Sequence, residues 1–168
     1  MLLRAAAELV APGIELELWE GLKSVPPYDE DDDLEPAPAA VAHLRTAISD
    51  ADAVLFATPE YNHSVPGQLK NAVDWASRPA GGGVLLNKPV MVVGASTGAF
   101  GAVWSQAELR KALAAGGARV VDAEVALGHA DRRFDERGVL TDDALREELR
   151  EALAVLVEQV RPRLSAVA

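Results

Sequence analysis

Three apolar runs of strand length constrain the fold of this chain more than any other feature. They are ADAVLFAT at 51–58, KPVMVVG at 88–94 and ARVVDAEVAL at 118–127. A strand covered on both faces lacks the polar positions of a solvent-facing strand, and such strands occur almost only in parallel sheets packed between helices. The three runs therefore predict a buried parallel sheet.

In the segments between these runs, apolar residues recur at the spacing of an α-helix. The predicted helices cover residues 2–10, a stretch around 41–48, 65–78, a stretch that ends near 115, and a last helix from 141 onward. A weaker alternation, IELELW at 14–19, predicts one more strand near a sheet edge. Helices and strands that alternate in this way predict an α/β domain of three layers, α/β/α, spanning 1–168 without a boundary.

Composition and charge exclude several classes of function. The net charge of −10 argues against nucleic-acid and membrane-surface binding, since both need a basic patch. There is no cysteine, and no apolar run reaches the roughly 18 residues that a membrane span needs. The chain opens on an amphipathic stretch, so a cytoplasmic location is expected. Three scattered histidines, His43, His63 and His129, predict no metal site.

Two loops of unusual composition follow the first two runs. We name PEYNHS at 59–64 the first loop and ASTGAFG at 95–101 the second loop. Ligands of open α/β sheets bind beyond the carboxyl ends of the strands, and helix N-termini there favour electron-rich atoms. Gly98 and Gly101 are expected to let the backbone approach a flat ligand, with Tyr61 and Phe100 beside it. A ring system with polar edges suits such a site better than a metal ion.

The first loop and the helix after it carry a resemblance to a known family. The segment PEYNHSVPGQLKNAVDW at 59–75 resembles the hallmark of the NADPH-dependent FMN reductases, flavodoxin-like quinone, chromate and azo-dye reductases. The matching residues are Pro59, Glu60, Tyr61, Asn62, Ser64, Pro66, Gly67, Leu69, Lys70, Asn71, Ala72, Asp74 and Trp75. The segment at 87–113 resembles the family's next strand, loop and helix.

The resemblance implies a flavodoxin-like fold, bound FMN, and hydride transfer from NADPH or NADH through the flavin to a quinone or similar small acceptor. It implies no catalytic side chain, because the flavin carries the chemistry, and it implies a homodimer or homotetramer. The implied cofactor-binding residues are Pro59, Glu60, Tyr61, Asn62, Ser96, Thr97 and Gly98.

Several of the matching residues also have a structural interpretation. Glu60 and Asn62 are suited to bonding turn backbone, and Ser64 to an N-cap. His63 is interpreted as a surface residue. Trp75 is interpreted as a packing or subunit-contact residue.

The beginning of the chain departs from the family pattern. The family starts with one more strand and a loop that holds the FMN phosphate, whereas this chain begins with MLLRAAAEL, which resembles the helix after that loop. We therefore expect the first, central strand to be missing from this chain because the start codon is misassigned. The alternative is a truncated paralogue.

Two other functions compete with the reductase interpretation. GASTG at 94–98 fits the nucleophile elbow of serine hydrolases, with Asp122 and His129 following Ser96 in the order of a triad. The second alternative is a non-catalytic flavodoxin-like module that has lost its cofactor.

Overall fold

The computed structural model describes residues 1–160, which contain five α-helices and four strands. The expected domain of 1–168 therefore includes eight residues outside the described range. The elements are α1 (Leu2–Leu9), α2 (Ala39–Asp50), β1 (Val54–Thr58), α3 (Gly67–Ala76), β2 (Pro89–Ala95), α4 (Val103–Ala115), β3 (Arg119–Val120), β4 (Ala126–Leu127) and α5 (Asp143–Val160).

Every strand pairing in the sheet is parallel, as the apolar runs predict. β2 is the central strand, and it pairs with β1 on one side and with β3 and β4 on the other. The register of β1 on β2 runs from Val54 opposite Val90 to Thr58 opposite Gly94. The fully apolar β2 is buried along Pro89 to Gly94, since helices cover both of its faces.

The third apolar run forms two short strands rather than one continuous strand. Val90 pairs with Val120 and Gly94 pairs with Ala126, so four steps along β2 correspond to six along its partner. The two additional residues bulge out between β3 and β4, which interrupts the ladder. The run stays attached there, because the N–H of Gly94 donates to the carbonyl of Val125.

Two strand predictions need correction. The run at 51–58 is not buried on both faces: Val54 to Ala57 are half-buried, and among residues 1–160 β1 pairs only with β2. The segment 14–19 forms no strand, because no described segment pairs with it and a strand requires a hydrogen-bonded neighbour. Its alternation has a packing role, with Leu16 against one core and Trp19 against the other.

Helices cover both faces of the sheet and create two cores, which confirms the three-layer prediction. α1 and α5 pack on the face that carries Met91 and Val93. α2, α3 and α4 pack on the face that carries Val90 and Val92. Alternate side chains of β2 therefore enter opposite cores, as the period of two requires.

The helix after the first loop fixes the segment before α2. Trp75 is fully buried, and its Nε1 donates to the carbonyl of Pro26 at 2.9 Å. Asn71 donates to the same carbonyl at 2.7 Å and accepts from the N–H of Tyr28 at 2.6 Å. The Tyr28 ring meets the Trp75 ring edge-on at 4.9 Å. The interpretation of Trp75 as a packing residue is confirmed.

The described helices give no membrane span: within residues 1–160 none is long and apolar enough to cross a bilayer. In the same range no three His, Asp or Glu side chains come together as ligands for a metal ion.

Candidate functional site

The two loops begin side by side at the carboxyl edge of the sheet. Thr58, the last residue of β1, lies opposite Gly94 near the end of β2. The buried hydroxyls of Thr58 and Ser105 are 2.8 Å apart, which joins the end of β1 to the first turn of α4. The topology thus brings the first loop, the second loop and the N-terminus of α4 together.

The first loop is a tight turn closed on itself. Tyr61 and Ser64 exchange both backbone hydrogen bonds, at 3.3 and 3.0 Å. Asn62 and His63 between them have φ of 53° and 58°, the left-handed conformation that both central residues of a type I′ turn adopt. Asparagine is among the few non-glycine residues that tolerate this conformation, so Asn62 has a backbone role here.

The carboxylate of Glu60 links the first loop to α4. Its Oε2 accepts from the N–H of Trp104 at 3.1 Å and from the N–H of Ser105 at 3.2 Å. These are N–H groups of the first helical turn, which have no partner within the helix. Glu60 therefore caps α4 from a distant segment, and its Oε1 lies 3.3 Å from Nδ1 of His63. Its side chain is occupied within the protein, which leaves the loop backbone to face a ligand.

A second carboxylate holds the other end of the turn. Oε2 of Glu108 accepts from the Ser64 hydroxyl at 2.6 Å and from the N–H of Val65 at 3.3 Å. Ser64 is therefore not the side-chain N-cap of α3, as the sequence suggested; Pro66 occupies that position without a side-chain bond. These hydrogen bonds, with the Ser64 hydroxyl as the largest cause, lower the pKa of Glu108 below its ordinary value of 4.5.

Replacing Ser64 with alanine is expected to raise the pKa of Glu108 towards 4.5. A lowered folded-state pKa means that the ionised carboxylate stabilises the fold above pH 4.5, and this stabilisation is lost as the pH falls through the folded-state pKa. NMR titration of the Glu108 carboxyl carbon measures the shift, with the exposed Ser24→Ala as control. An unchanged Glu108 titration in Ser64→Ala would contradict this assignment.

The second loop presents free backbone donors on an exposed surface. The Ser96 hydroxyl accepts from the N–H of Gly98 at 3.0 Å. The N–H groups of Thr97, Ala99 and Phe100 donate to no acceptor among residues 1–160. These three residues are exposed, so their donors are open to a ligand from the solvent side.

Gly98 and Gly101 play different parts in this loop. A Cβ on Gly98 would meet only the Ser96 hydroxyl, at 3.4 Å, so the protein itself leaves room there. Gly101 has φ of +58°, and a Cβ on it would lie 2.2 Å from the carbonyl carbon of Ala126. The expectation that Gly101 approaches a ligand is therefore wrong, since it approaches the neighbouring strand.

A third loop, at 128–133, completes this edge and was missed at the sequence level. The N–H of His129 donates to the carbonyl of Gly98 at 2.9 Å, and that of Ala130 donates to the carbonyl of Ser96 at 3.0 Å. The signal was available, because this loop follows β4 at the same edge of the sheet as the other two.

Aromatic rings surround the exposed side of the site. Tyr61 and Phe100 are each 64% exposed, and Trp104 is 42% exposed. The Trp104 ring meets the His63 ring edge-on at 4.8 Å and the Phe100 ring at 5.2 Å, so it bridges the first and second loops. Large exposed apolar rings beside a polar loop mark a binding surface.

The arrangement does not assemble a hydrolase triad. Within residues 1–160, the Ser96 hydroxyl forms its hydrogen bond with the N–H of Gly98, and no hydrogen bond joins it to the His129 ring or joins that ring to Asp122. A serine nucleophile needs its base within hydrogen-bond reach. The geometry therefore gives no support to the hydrolase alternative.

The donors of the second loop fit a flavin ring. An isoalloxazine edge carries carbonyl oxygens and ring nitrogens, which accept hydrogen bonds from N–H groups such as those of Thr97 and Ala99. The open space over Gly98 suits a flat ring, because no side chain intrudes. FMN held here would supply hydride chemistry, while the protein supplies position and fixed N–H dipoles.

Comparisons with known proteins identify the relatives of this chain. The family model described as NADPH-dependent FMN reductase matches residues 1–132. An NAD(P)H-dependent FMN reductase from Pseudomonas aeruginosa is 42% identical over 160 residues, which cover 95% of this chain and 85% of that protein. A quinone reductase from Pseudomonas putida is 39% identical over 140 residues, covering 83% of this chain and 75% of that protein.

A solved structure resembles the whole described fold. The flavoenzyme NAD(P)H:(acceptor) oxidoreductase FerB from Paracoccus denitrificans aligns with a TM-score of 0.81 and 34% identity, over 95% of this chain and 87% of that one. Sequence motif, sheet topology and comparisons lead to one conclusion: the chain belongs to the NADPH-dependent FMN reductase family of flavodoxin-like, FMN- and NAD(P)H-dependent oxidoreductases.

Proposed function

We propose that the backbone of Pro59, Glu60, Tyr61 and Asn62 and the residues Ser96, Thr97 and Gly98 hold the isoalloxazine ring of FMN. The observation that carries the proposal is the set of exposed N–H groups on the second loop that donate to no acceptor among residues 1–160. These donors are exposed and have no acceptor within the described residues, so they are available to the acceptor atoms of a ligand that displaces water from the loop. The first loop supplies a rigid wall, since both of its ends are fixed to α4.

The N–H groups of Thr97 and Ala99 are suited to stabilise negative charge that develops on the pyrimidine edge of a reduced ring. Because these N–H dipoles are already oriented, they stabilise the negative charge without a rearrangement of the protein during hydride transfer. Tyr61 and Phe100 offer flat faces that exclude water from a stacked donor or acceptor. No side chain in this arrangement needs to act as a nucleophile or as a proton donor.

The electron acceptor is a quinone or a similar small aromatic oxidant. Two features support it: the exposed aromatic surface of Tyr61, Phe100 and Trp104, and the 39% identity to a quinone reductase. A planar ring stacks on such a surface.

The assembly and location are proposed as well. We propose a single domain of 1–168 that forms a cytoplasmic homodimer or homotetramer. Exposed rings beside the site support an assembly in which a second copy covers part of the aromatic surface. Light scattering during size-exclusion chromatography measures the mass; a monomer at every concentration would contradict the assembly.

Flavin binding and turnover test the proposal together. Purified protein is titrated with FMN by fluorescence, and NADPH and NADH oxidation is then followed with a benzoquinone. We expect saturable FMN binding and quinone-dependent oxidation of at least one donor. Absence of both would contradict the reductase proposal and favour the non-catalytic alternative. Labelling with a fluorophosphonate tests the hydrolase alternative separately: a serine hydrolase would be labelled at Ser96, whereas the reductase proposal predicts no labelling.

A further inference from the structure

A cavity of about 400 Å³ lies beside the third loop. Its walls are His129, Arg132, Arg133, Thr141 and Asp142, which come from the third loop and from the segment that begins α5. The cavity is open to solvent, and the roles proposed above do not use these residues. The inference about the ligand of this cavity rests on the proposed reductase function.

Backbone hydrogen bonds fix the cavity against the proposed ring site. His129 and Ala130 donate to the carbonyls of Gly98 and Ser96, so the third loop and the second loop form one continuous edge. His129 holds a left-handed conformation with φ of 51°, which turns the chain from β4 into the arginine pair. A ligand with one end on the second loop therefore has this cavity within reach of an extended tail.

Two arginines and one aspartate line the cavity, in a protein whose net charge is −10. The side chain of Arg132 is 78% exposed, and the distance from its Nε to the Asp131 carboxylate is 3.6 Å, which is longer than a hydrogen bond. Arg132 therefore has its donors available to a ligand.

The second arginine is held in place rather than free. Arg133 pairs with Asp142, and Asp142 also accepts from the N–H of Leu145 at 3.0 Å as the N-cap of α5. This pairing orients the guanidinium of Arg133 towards the cavity edge, since both partners line it. An arginine fork accommodates a second acceptor group beside its carboxylate, and phosphate oxygens match that geometry.

We propose that this cavity binds a phosphate group of the dinucleotide donor, with Arg132 as the principal contact and Arg133 and His129 beside it. With the nicotinamide at the ring site, the diphosphate bridge lies at the middle of the dinucleotide and the 2′-phosphate of NADPH at its adenosine end, so an extended donor would lie along the edge formed by the second and third loops. The phosphate is either the 2′-phosphate that distinguishes NADPH from NADH or the diphosphate bridge that both contain. The exposed Arg132 also offsets part of the repulsion between a polyanionic donor and an acidic protein.

Binding of donor fragments tests the assignment without any turnover. Calorimetry on the full chain measures the affinity for 2′,5′-ADP and for 5′-ADP. Arg132→Gln is expected to weaken the binding of at least one fragment about tenfold or more, because a charge-assisted hydrogen bond to phosphate is lost. Arg137→Gln removes the same charge from an exposed neighbour outside the cavity, and it is expected to stay within about twofold of wild type.

The two fragments separate the two phosphates. If Arg132→Gln weakens the binding of 2′,5′-ADP alone, the cavity is assigned to the 2′-phosphate. The variant is then expected to have a higher KM for NADPH and an unchanged KM for NADH. Weaker binding of 5′-ADP, the fragment that carries a diphosphate, assigns the cavity to the diphosphate bridge. Unchanged affinity of Arg132→Gln for both fragments overturns the inference.

A flavin control keeps this inference distinct from the proposed function. FMN and riboflavin are titrated against wild type and Arg132→Gln. If the substitution weakens FMN but not riboflavin, the cavity holds the flavin's phosphate and the donor assignment is wrong. If wild type oxidises NAD(P)H but Arg132→Gln leaves both KM values and both fragments unchanged, the reductase proposal stands and this inference fails.

Discussion

Trp75→Ala is expected to destabilise the protein by about 3–5 kcal/mol, the range for removing a fully buried tryptophan. The side chain has no exposed surface, fills the core between α2, α3 and the Tyr28 ring, and donates to Pro26. Such a loss is comparable with the 5–15 kcal/mol that stabilises a typical domain, so much of the variant is expected to be unfolded.

Urea unfolding followed by far-UV circular dichroism measures this effect. Trp104→Ala is the matched control, because that ring is 42% exposed and its removal is expected to cost under about 1 kcal/mol. Trp75→Phe restores most of the volume without the N–H, and Pro26 keeps its bond from Asn71, so it is expected to recover most of the stability. A Trp75→Ala loss below about 1 kcal/mol would contradict the packing role.

Gly101→Ala is expected to separate the second loop from β4. The added Cβ would lie 2.2 Å from the carbonyl carbon and 2.5 Å from the oxygen of Ala126, both backbone atoms that no rotamer change can move. The positive φ adds a cost of about 1 kcal/mol, and the overlap adds about 1–3 kcal/mol. The bond from Gln106 to the Gly101 carbonyl is weakened as well.

Both stability and FMN retention are therefore expected to fall in Gly101→Ala. Chemical unfolding gives the free energy, and the flavin absorbance of the purified protein gives the occupancy. Gly98→Ala places the same methyl three residues earlier, where it meets only the Ser96 hydroxyl at 3.4 Å, and its stability is expected to match wild type. Equal destabilisation by the two substitutions would contradict the distinction between these glycines.

The sheet and its helices follow from local patterns in the chain. Apolar runs predicted β1 and β2, and helical periodicity predicted all five helices. Both signals are local, because the buried face of a helix or strand makes apolar residues recur with a period that is visible within about ten residues. The segment 14–19 shows the limit of that reasoning. Its alternation is real, yet a strand also needs a partner, and no local pattern reports whether a partner is present.

The position of the candidate site followed from the sequence, but its internal contacts did not. The carboxyl-edge rule predicted the first and second loops, and the hallmark segment supplied the residues of the first; their role in holding FMN stays a prediction. The contacts of Glu60 with α4 and of Ser64 with Glu108 join residues 44 or 45 positions apart. A single exposed carboxylate such as Glu108 carries no local signal, so only the folded chain reveals which loop it holds.

FMN titration of Gly98→Leu tests the central claim most directly, namely that the ring lies against the second loop. Gly98 is exposed and a Cβ there meets only the Ser96 hydroxyl, at 3.4 Å, so thermal unfolding is expected to stay close to wild type, while the leucine would occupy the ring position. Gly67→Leu is the control, since a Cβ there meets nothing within 4 Å and lies on α3. The account predicts FMN binding at least about tenfold weaker in Gly98→Leu and unchanged in Gly67→Leu. A folded Gly98→Leu protein that binds FMN as tightly as wild type would contradict it.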